Sequence, residues 1–367
     1  MRIGIDIKGI SNGKTGIARY LVTLMNYLQK IDTENEYFLF GCRKSVYKVI
    51  NSKWKKIVTP LKMPGIVWQQ LILPILLRFY KINVIWSPEQ TTPLFFCRNI
   101  KVLLTIHDFT ALRFPETCVW SSRIIQQLFL KPSIKKVWKI IPVSDYIHRE
   151  LLERYSDIVD KVDVITITNG APCWSDLEIS LPKSDEDYLF FAGNLEPRKN
   201  LKNLLRALEI LKDKDINIKL HIAGTTGWNN SEFFKNLEQS KIFKNIRFLG
   251  YVSEEELKKQ YFLCKATVYP SIYEGFGIPI LEALSVGSVI LTSRDTVMQE
   301  IAGKTAVYFD PYDPNNIAEK IEFVLNNYQE VKKNILQNSA KVLNNYSWEK
   351  SAYKITCLFK NLKNEEN

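Results

Sequence analysis

Short runs of apolar, largely β-branched residues alternate along this chain with longer stretches of helical period, and the alternation occurs twice. The first series is Ile3–Ile7, Phe38–Phe40, Val84–Trp86, Val102–Ile106, Ile140–Val143 and Val164–Ile167. The second is Leu189–Ala192, Lys219–Ala223, Ile246–Leu249, Ala266–Tyr269 and Val289–Thr292. Runs that are apolar at consecutive positions suit strands buried on both faces, which is the condition of parallel sheets covered by crossover helices. The expected fold class is therefore α/β, with two doubly wound, Rossmann-like domains. The 367 residues suit two cores better than one. A polar stretch, Ser175–Asp187, separates the two series. The domains are placed at 1–178 and 179–346, with a final helical segment at 347–367. Ser253-Glu-Glu-Glu256 has the form of a capping box ahead of an amphipathic helix.

Charge is unevenly placed. Residues 1–175 hold 25 Lys/Arg against 13 Asp/Glu, a net +12, and the remainder hold 25 against 26, a net −1. Such a field attracts anionic lipid or phosphorylated substrates, or else it is a solvated lysine-rich surface. The basic clusters Lys53-Trp-Lys-Lys56 and Lys135-Lys136 lie in this half, beside the apolar stretch Ile66–Tyr80. That stretch has 15 residues and is broken by Gln69, Gln70, Pro74 and Arg78. A spanning helix needs about 20 apolar residues, so it either lies against a bilayer or forms a buried helix pair. The N-terminus reads as a strand rather than a signal peptide. Six scattered cysteines, without a CxxC pair and with three histidines in the chain, fit thiols in a reducing cytoplasm and give no metal-ligand spacing.

Open parallel sheets bind ligands beyond the carboxyl ends of their strands, and four clusters fall there. Gly13-Lys-Thr-Gly-Ile-Ala-Arg-Tyr20 follows the first strand and opens a helix, as either a phosphate-approaching turn or a plain tight turn. Thr105-Ile-His107-Asp108 ends another strand, with His107 as a cleft residue or Asp108 as a helix cap. His148 and His221 read as structural. Gly193-Asn-Leu-Glu-Pro-Arg-Lys-Asn200 presents Arg198 and Lys199 together at a helix start. A planar fork and a compact ammonium there form either a clamp for a pyrophosphate or a solvated pair on a loop. In Ser271-Ile-Tyr-Glu274-Gly-Phe-Gly277-Ile-Pro-Ile-Leu-Glu282 two carboxylates lie eight positions apart. Glycines Gly275 and Gly277 allow close backbone approach, and Pro279 suits the first turn of the helix. Glu282 sits among Ile280, Leu281, Ala283 and Leu284, which calls for a ligand or a buried partner.

Glu274–Glu282 is the E-x7-E pattern of the family 4 retaining glycosyltransferases, and the chain resembles that family over nearly its whole length. Gly16-Ile-Ala-Arg-Tyr20, His107-Asp108, Val143-Ser144, Asn169-Gly170, Gly193…Arg198-Lys199-Asn200 and Tyr346-Ser-Trp348 follow in family-like order. The resemblance implies the GT-B fold: two facing Rossmann-like domains with a cleft between them and a last helix crossing back to the first. It implies that Arg198 and Lys199 bind the donor diphosphate with the Gly16 loop nearby. It also implies that Glu274 touches the donor sugar, that Glu282 binds the ribose, and that His107 lies close to the transferred sugar. Gly193, Asn200, Gly275, Phe276 and Gly277 complete the implied donor site, and the base stacks near Gly224–Thr226 and Tyr251-Val252. Ala18 stands where the family often has glycine, which implies a loop slightly further from the phosphate.

The motifs of the first half look most like bacterial mannosyltransferases of O-antigen or capsule synthesis, which implies GDP-mannose as donor. A UDP-glucose, UDP-N-acetylhexosamine or deoxysugar donor is the alternative. Transfer is expected with retention, without a cofactor or metal, and onto a saccharide or lipid-linked saccharide. The expected location is cytoplasmic, with peripheral contact at an anionic inner membrane face. The Asp-x-Asp matches, Asp185-Glu-Asp187 and Asp213-Lys-Asp215, read as solvated linker or loop. A nicotinamide-dependent oxidoreductase is disfavoured by the missing GxGxxG and its acidic ribose anchor. A nucleic-acid-binding protein is disfavoured by the lack of zinc-finger, RRM or basic-zipper patterns.

Overall fold

The computed structural model describes residues 1–10, 16–43, 45, 47–59, 63–95, 99–159, 161–172, 174, 187–225 and 231–365. The expected boundary between 178 and 179 lies outside the described residues, as do Gly13, Cys97, Cys173, Asp185 and Thr226. The chain divides into two compact units, Met1–Gly170 with Ser347–Asn367, and Ala171–Tyr346.

Among the described residues the first unit holds a seven-stranded sheet of β1 (Arg2–Asp6), β2 (Glu36–Gly41), β3 (Trp54–Val58), β4 (Val84–Ser87), β5 (Lys101–Ile106), β6 (Lys139–Pro142) and β7 (Asp163–Val164). Their order is β3-β2-β1-β4-β5-β6-β7 and every pairing is parallel. Ile3, Ile5, Val84, Ile85, Trp86 and Val102–Leu104 are wholly buried, as consecutive apolar strands require. α1 (Gly16–Ile31) buries Leu21, Leu24, Met25 and Leu28, a one-faced spacing. The helix Trp348–Glu365 packs on it. There Trp348 lies 6.1 Å from the ring of Tyr20, and Phe359 meets Tyr37 edge-on at 6.4 Å. A methyl at Gly170 would meet the Trp348 main-chain nitrogen at 2.3 Å, so the Asn169-Gly170 and Tyr346-Ser-Trp348 motifs constrain each other sterically.

Ile66–Tyr80 forms two short helices, α2 (Gly65–Leu71) and α3 (Leu73–Phe79). Trp68, Leu73 and Leu77 join Phe38, Phe40 and Ile85 in the core, while Val67, Leu71, Ile75 and Phe79 are exposed. No described helix is long and apolar enough to cross a membrane. The basic cluster at Lys53–Lys56 turns out to be an edge strand, β3. Its Trp54 is buried against Tyr37, with ring centroids 4.2 Å apart. Lys56 donates to the carbonyls of Ser45 and Tyr47, and exposed lysines on an edge discourage pairing with another chain.

In the second unit β8 (Tyr188–Ala192), β9 (Lys219–Ala223), β10 (Ile246–Gly250), β11 (Ala266–Tyr269), β12 (Ile290–Ser293) and β13 (Val307–Phe309) form a parallel sheet in the order β10-β9-β8-β11-β12-β13. Ser253 caps the helix Glu254–Leu263 by accepting from the Glu256 amide at 3.2 Å, a contact worth about 1 kcal/mol. Gly224, at φ +145°, has the Gly193 carbonyl oxygen 2.1 Å from where a Cβ would stand, so the ends of β8 and β9 can close only over glycine. Strand order reverses between β1 and β4 in the first sheet and between β8 and β11 in the second. In such sheets the crevice that takes a ligand opens at these points.

Candidate active site

At the carboxyl ends of β8 and β11 the two expected cations converge. The turn Pro197–Lys199 is held by its own hydrogen bonds and by Ile272 N donating to the Arg198 carbonyl at 2.8 Å, which ties it to the loop after β11. Arg198 Nη1 donates to Glu274 Oε2 at 2.6 Å and to the Tyr273 carbonyl at 3.1 Å, and its Nε pairs with Glu196 Oε2 at 2.8 Å. Lys199 Nζ pairs with the other oxygen of Glu274. All three side chains are nearly buried. Burial works against the Glu274 carboxylate, but Arg198 and Lys199 outweigh it and hold its pKa down to about 2. The group is therefore a charge-balanced cluster: two cations against Glu196 and Glu274. Glu196 was not singled out in the sequence, although it lies within the same short motif.

The remaining residues expected at a donor site fall into distinct surroundings. Asn200 adopts a left-handed conformation (φ +59°), and its side-chain amide donates to the carbonyls of Pro270 at 3.0 Å and Pro311 at 2.6 Å, joining three loops. Gly277, at φ +117°, is the cap of the helix Ile278–Ser285, and Gly275 precedes buried Phe276, whose ring meets Tyr346 edge-on at 5.6 Å. Glu282 is buried and accepts from Tyr261 OH at 2.9 Å. Tyr261 OH lies 2.9 Å from Tyr269 OH, which donates to the Ala192 carbonyl at the end of β8. The buried partner that the apolar surroundings of Glu282 call for is thus Tyr261, and neither tyrosine carried a sequence signal for it. Burial, then Glu282, pushes the Tyr261 hydroxyl well up. Ser271 Oγ, in the loop leading to Glu274, is buried with no hydrogen-bond partner among the described residues. Gly193 follows β8 and is overlaid by the Lys199 side chain. Tyr251 is exposed just beyond β10, and the Thr225 hydroxyl donates to Asn194 at 3.0 Å.

Gly16 and His107 lie in the first unit. Gly16 opens α1 with open space where a Cβ would stand, while Ala18 is buried. His107 follows β5 with its ring nearly buried, Nε2 2.7 Å from the Pro88 carbonyl and edge-on to Tyr20 at 4.9 Å. Burial lowers its pKa against the opposing pull of Pro88, Asp108 and Glu89, which favours a neutral imidazole. Asp108 accepts from the Thr110 amide at 2.9 Å, at the start of a short helix. His148 bonds Thr166, and His221 stacks on Tyr188 with ring centroids 3.9 Å apart. Among the described residues no His, Cys, Asp or Glu side chains group as metal ligands. Asp213 pairs with Lys241 on an exposed surface.

Two family models match adjoining parts of the chain: Glycosyltransferase Family 4 over residues 14–173 and Glycosyl transferases group 1 over residues 174–342. The chain belongs to the family 4 glycosyltransferases and has the GT-B fold. It is 29% identical over 260 residues to O-antigen chain mannosyltransferase B of Escherichia coli, a match covering 67% of this chain and just under two thirds (66%) of that relative. Among solved structures it resembles sucrose-phosphate synthase from Thermosynechococcus elongatus (TM-score 0.77, 16% identity, all of both chains). It also resembles Anabaena HepE in complex with UDP-glucose (TM-score 0.73, 14% identity, 98% of this chain and all of the other).

Proposed function

We propose that this protein transfers a hexose from a nucleotide diphosphate sugar to a saccharide or lipid-linked saccharide in surface polysaccharide synthesis. The observation that carries the reading is the convergence of Arg198 and Lys199 on Glu274 where strand order reverses in the second sheet. A diphosphate leaving group develops negative charge as the glycosidic bond breaks, and two fixed cations beside it stabilise that charge without reorganisation. Glu274, released from the cations by the arriving diphosphate, is a carboxylate suited to sugar hydroxyls. Glu282 serves the ribose, Gly193, Asn200, Gly275, Phe276 and Gly277 shape the donor loops, and Gly16 and His107 contribute from the first unit.

Transfer proceeds with retention through an oxocarbenium-like transition state, the acceptor attacking the face from which the diphosphate departs. The departing phosphate oxygen takes the acceptor's proton, so no protein base is required. The cation pair supplies the charge that a divalent ion would otherwise supply, so the reaction is metal-independent. GDP-mannose is the leading donor, supported by likeness to an O-antigen mannosyltransferase. The second reading, a UDP-linked sugar, is supported by likeness to a protein solved with UDP-glucose. The protein is read as cytoplasmic and as lying against an anionic inner leaflet through the exposed stripe of α2 and α3. A thermal-shift panel of nucleotide sugars tests the reading, since a ligand that binds the folded state stabilises it by an amount that grows with the logarithm of its concentration over its Kd. One donor is expected to raise the melting temperature and to be consumed equally in excess EDTA. Stabilisation by none, or turnover restored only by manganese, contradicts the reading or its metal-independent form respectively.

A further inference from the structure

The first sheet also reverses its strand order, between β1 and β4, and Asp6, Lys8, Glu89 and Gln90 there have no part in the donor chemistry above. Asp6, the last residue of β1, is buried and accepts from Gln69 of α2 at 2.7 Å and from the Lys8 amide at 3.0 Å. Lys8 Nζ stands between two carboxylates, 3.1 Å from Asp6 Oδ2 and 2.8 Å from Glu89 Oε2. Gln69 also donates to the Thr91 carbonyl at 2.9 Å, fixing the loop after β4. Pro88 in that loop is held by the His107 ring. Each member of the cluster is thus positioned from a different element.

We propose that Glu89 and Gln90, set by Lys8 at this reversal point, bind the hydroxyl groups of an uncharged acceptor saccharide. The inference rests on the glycosyltransferase reading and names the side chains through which the acceptor is held. Three observations carry it. Asp6 and Lys8 are nearly sealed from solvent, while the Glu89 side chain is one-quarter exposed, so Glu89 is the member a ligand can reach. The next residue, Gln90, is 7% exposed and its Oε1 has no hydrogen-bond partner among the described residues. A buried acceptor left unmatched costs about 1–3 kcal/mol, which a hydroxyl donor would recover. Finally, one cation among two carboxylates leaves a net negative cluster, which accepts from hydroxyls and repels phosphate or carboxylate groups. Burial acts to lower the Lys8 ammonium pKa, but Asp6 and Glu89 hold it above its usual value, so the balance persists across the working pH range. The Glu89 carboxylate lies over the bare face of Gly9: a Cβ there would stand 1.6 Å from Oε1.

That contact gives a way to move the carboxylate without deleting it. Saturation-transfer NMR with octyl α-D-mannoside, octyl β-D-glucoside and octyl N-acetyl-β-D-glucosaminide, alongside calorimetry with GDP and UDP, tests the proposal on the full chain. Wild type is expected to bind at least one glycoside, and Glu89→Ala and Gly9→Ala to weaken it at least tenfold. Nucleotide affinity and melting temperature should stay close to wild type. Glycoside binding unchanged in both variants, or no glycoside bound by wild type, overturns the site. Absence of binding to both nucleotides in wild type counts instead against the donor reading, whatever the glycosides do.

Discussion

In Glu274 burial and charge pull in opposite directions, and charge wins. A carboxylate whose pKa falls from 4.5 to about 2 on folding adds stability that is complete above the unfolded value and is lost as pH drops toward the folded one. Glu274→Gln should therefore be less stable than wild type at neutral pH, by roughly 3–5 kcal/mol for a broken buried pair. In urea unfolding the gap should narrow between pH 4.5 and about 2. The same change frees Arg198 and Lys199, so GDP or UDP should bind the variant more tightly while sugar transfer falls. A gap that does not vary with pH, or weaker nucleotide binding, would remove Glu274 from its place between the cations. Arg198, Lys199, Glu274 and Glu282 were legible in the sequence because spacing and residue chemistry mark them. Tyr261 was not: it reaches Glu282 from 21 residues away through a packed core, and only the fold brings the two together.

Helices α2 and α3 divide their apolar residues between two surroundings. Trp68, Leu73 and Leu77 complete the core, and Gln69 and Gln70 tie the same elements to the loop after β4. Leu71, Ile75 and Phe79, exposed at 60%, 64% and 74%, recur every four residues on the outside. Phe95, also exposed, lies beneath Lys136 at 5.3 Å from its ring centroid. Apolar side chains among cations are suited to an anionic interface. Replacing Leu71, Ile75 and Phe79 together with serine is expected to abolish flotation with anionic vesicles and to leave the melting temperature within about 2 °C. Flotation retained, or absent already in wild type, contradicts the membrane contact. Of the two expectations for Ile66–Tyr80, the buried pair describes the inner face, while the outer face is exposed and its membrane contact is a proposal for the flotation test. Strands β3 and β13 escaped the sequence reading for physical reasons. The first interrupts its apolar residues with edge lysines, and the second is three residues long, too short for a period to show.

At the scale of the molecule, the doubled parallel sheet was legible because fully buried strands leave continuous apolar runs. Both sheets share one strand order, so each offers one ligand crevice, and each crevice holds a charged cluster of different character. The second places two cations with two carboxylates; the first places one cation with two. On this difference rest the two proposals, a diphosphate for the second crevice and hydroxyl groups for the first. The cations of the second were marked in the sequence, whereas the Lys8 cluster appeared only when β1 and β4 came together. Calorimetric titration of GDP and UDP into wild type and an Arg198→Ala/Lys199→Ala variant tests the central claim most directly. Truncating one partner of a buried, hydrogen-bonded charge pair costs about 2–5 kcal/mol of binding. Wild type is predicted to bind one nucleotide diphosphate, the variant to bind it roughly 100-fold more weakly with its sheet intact. Equal affinity in the two proteins would contradict the claim.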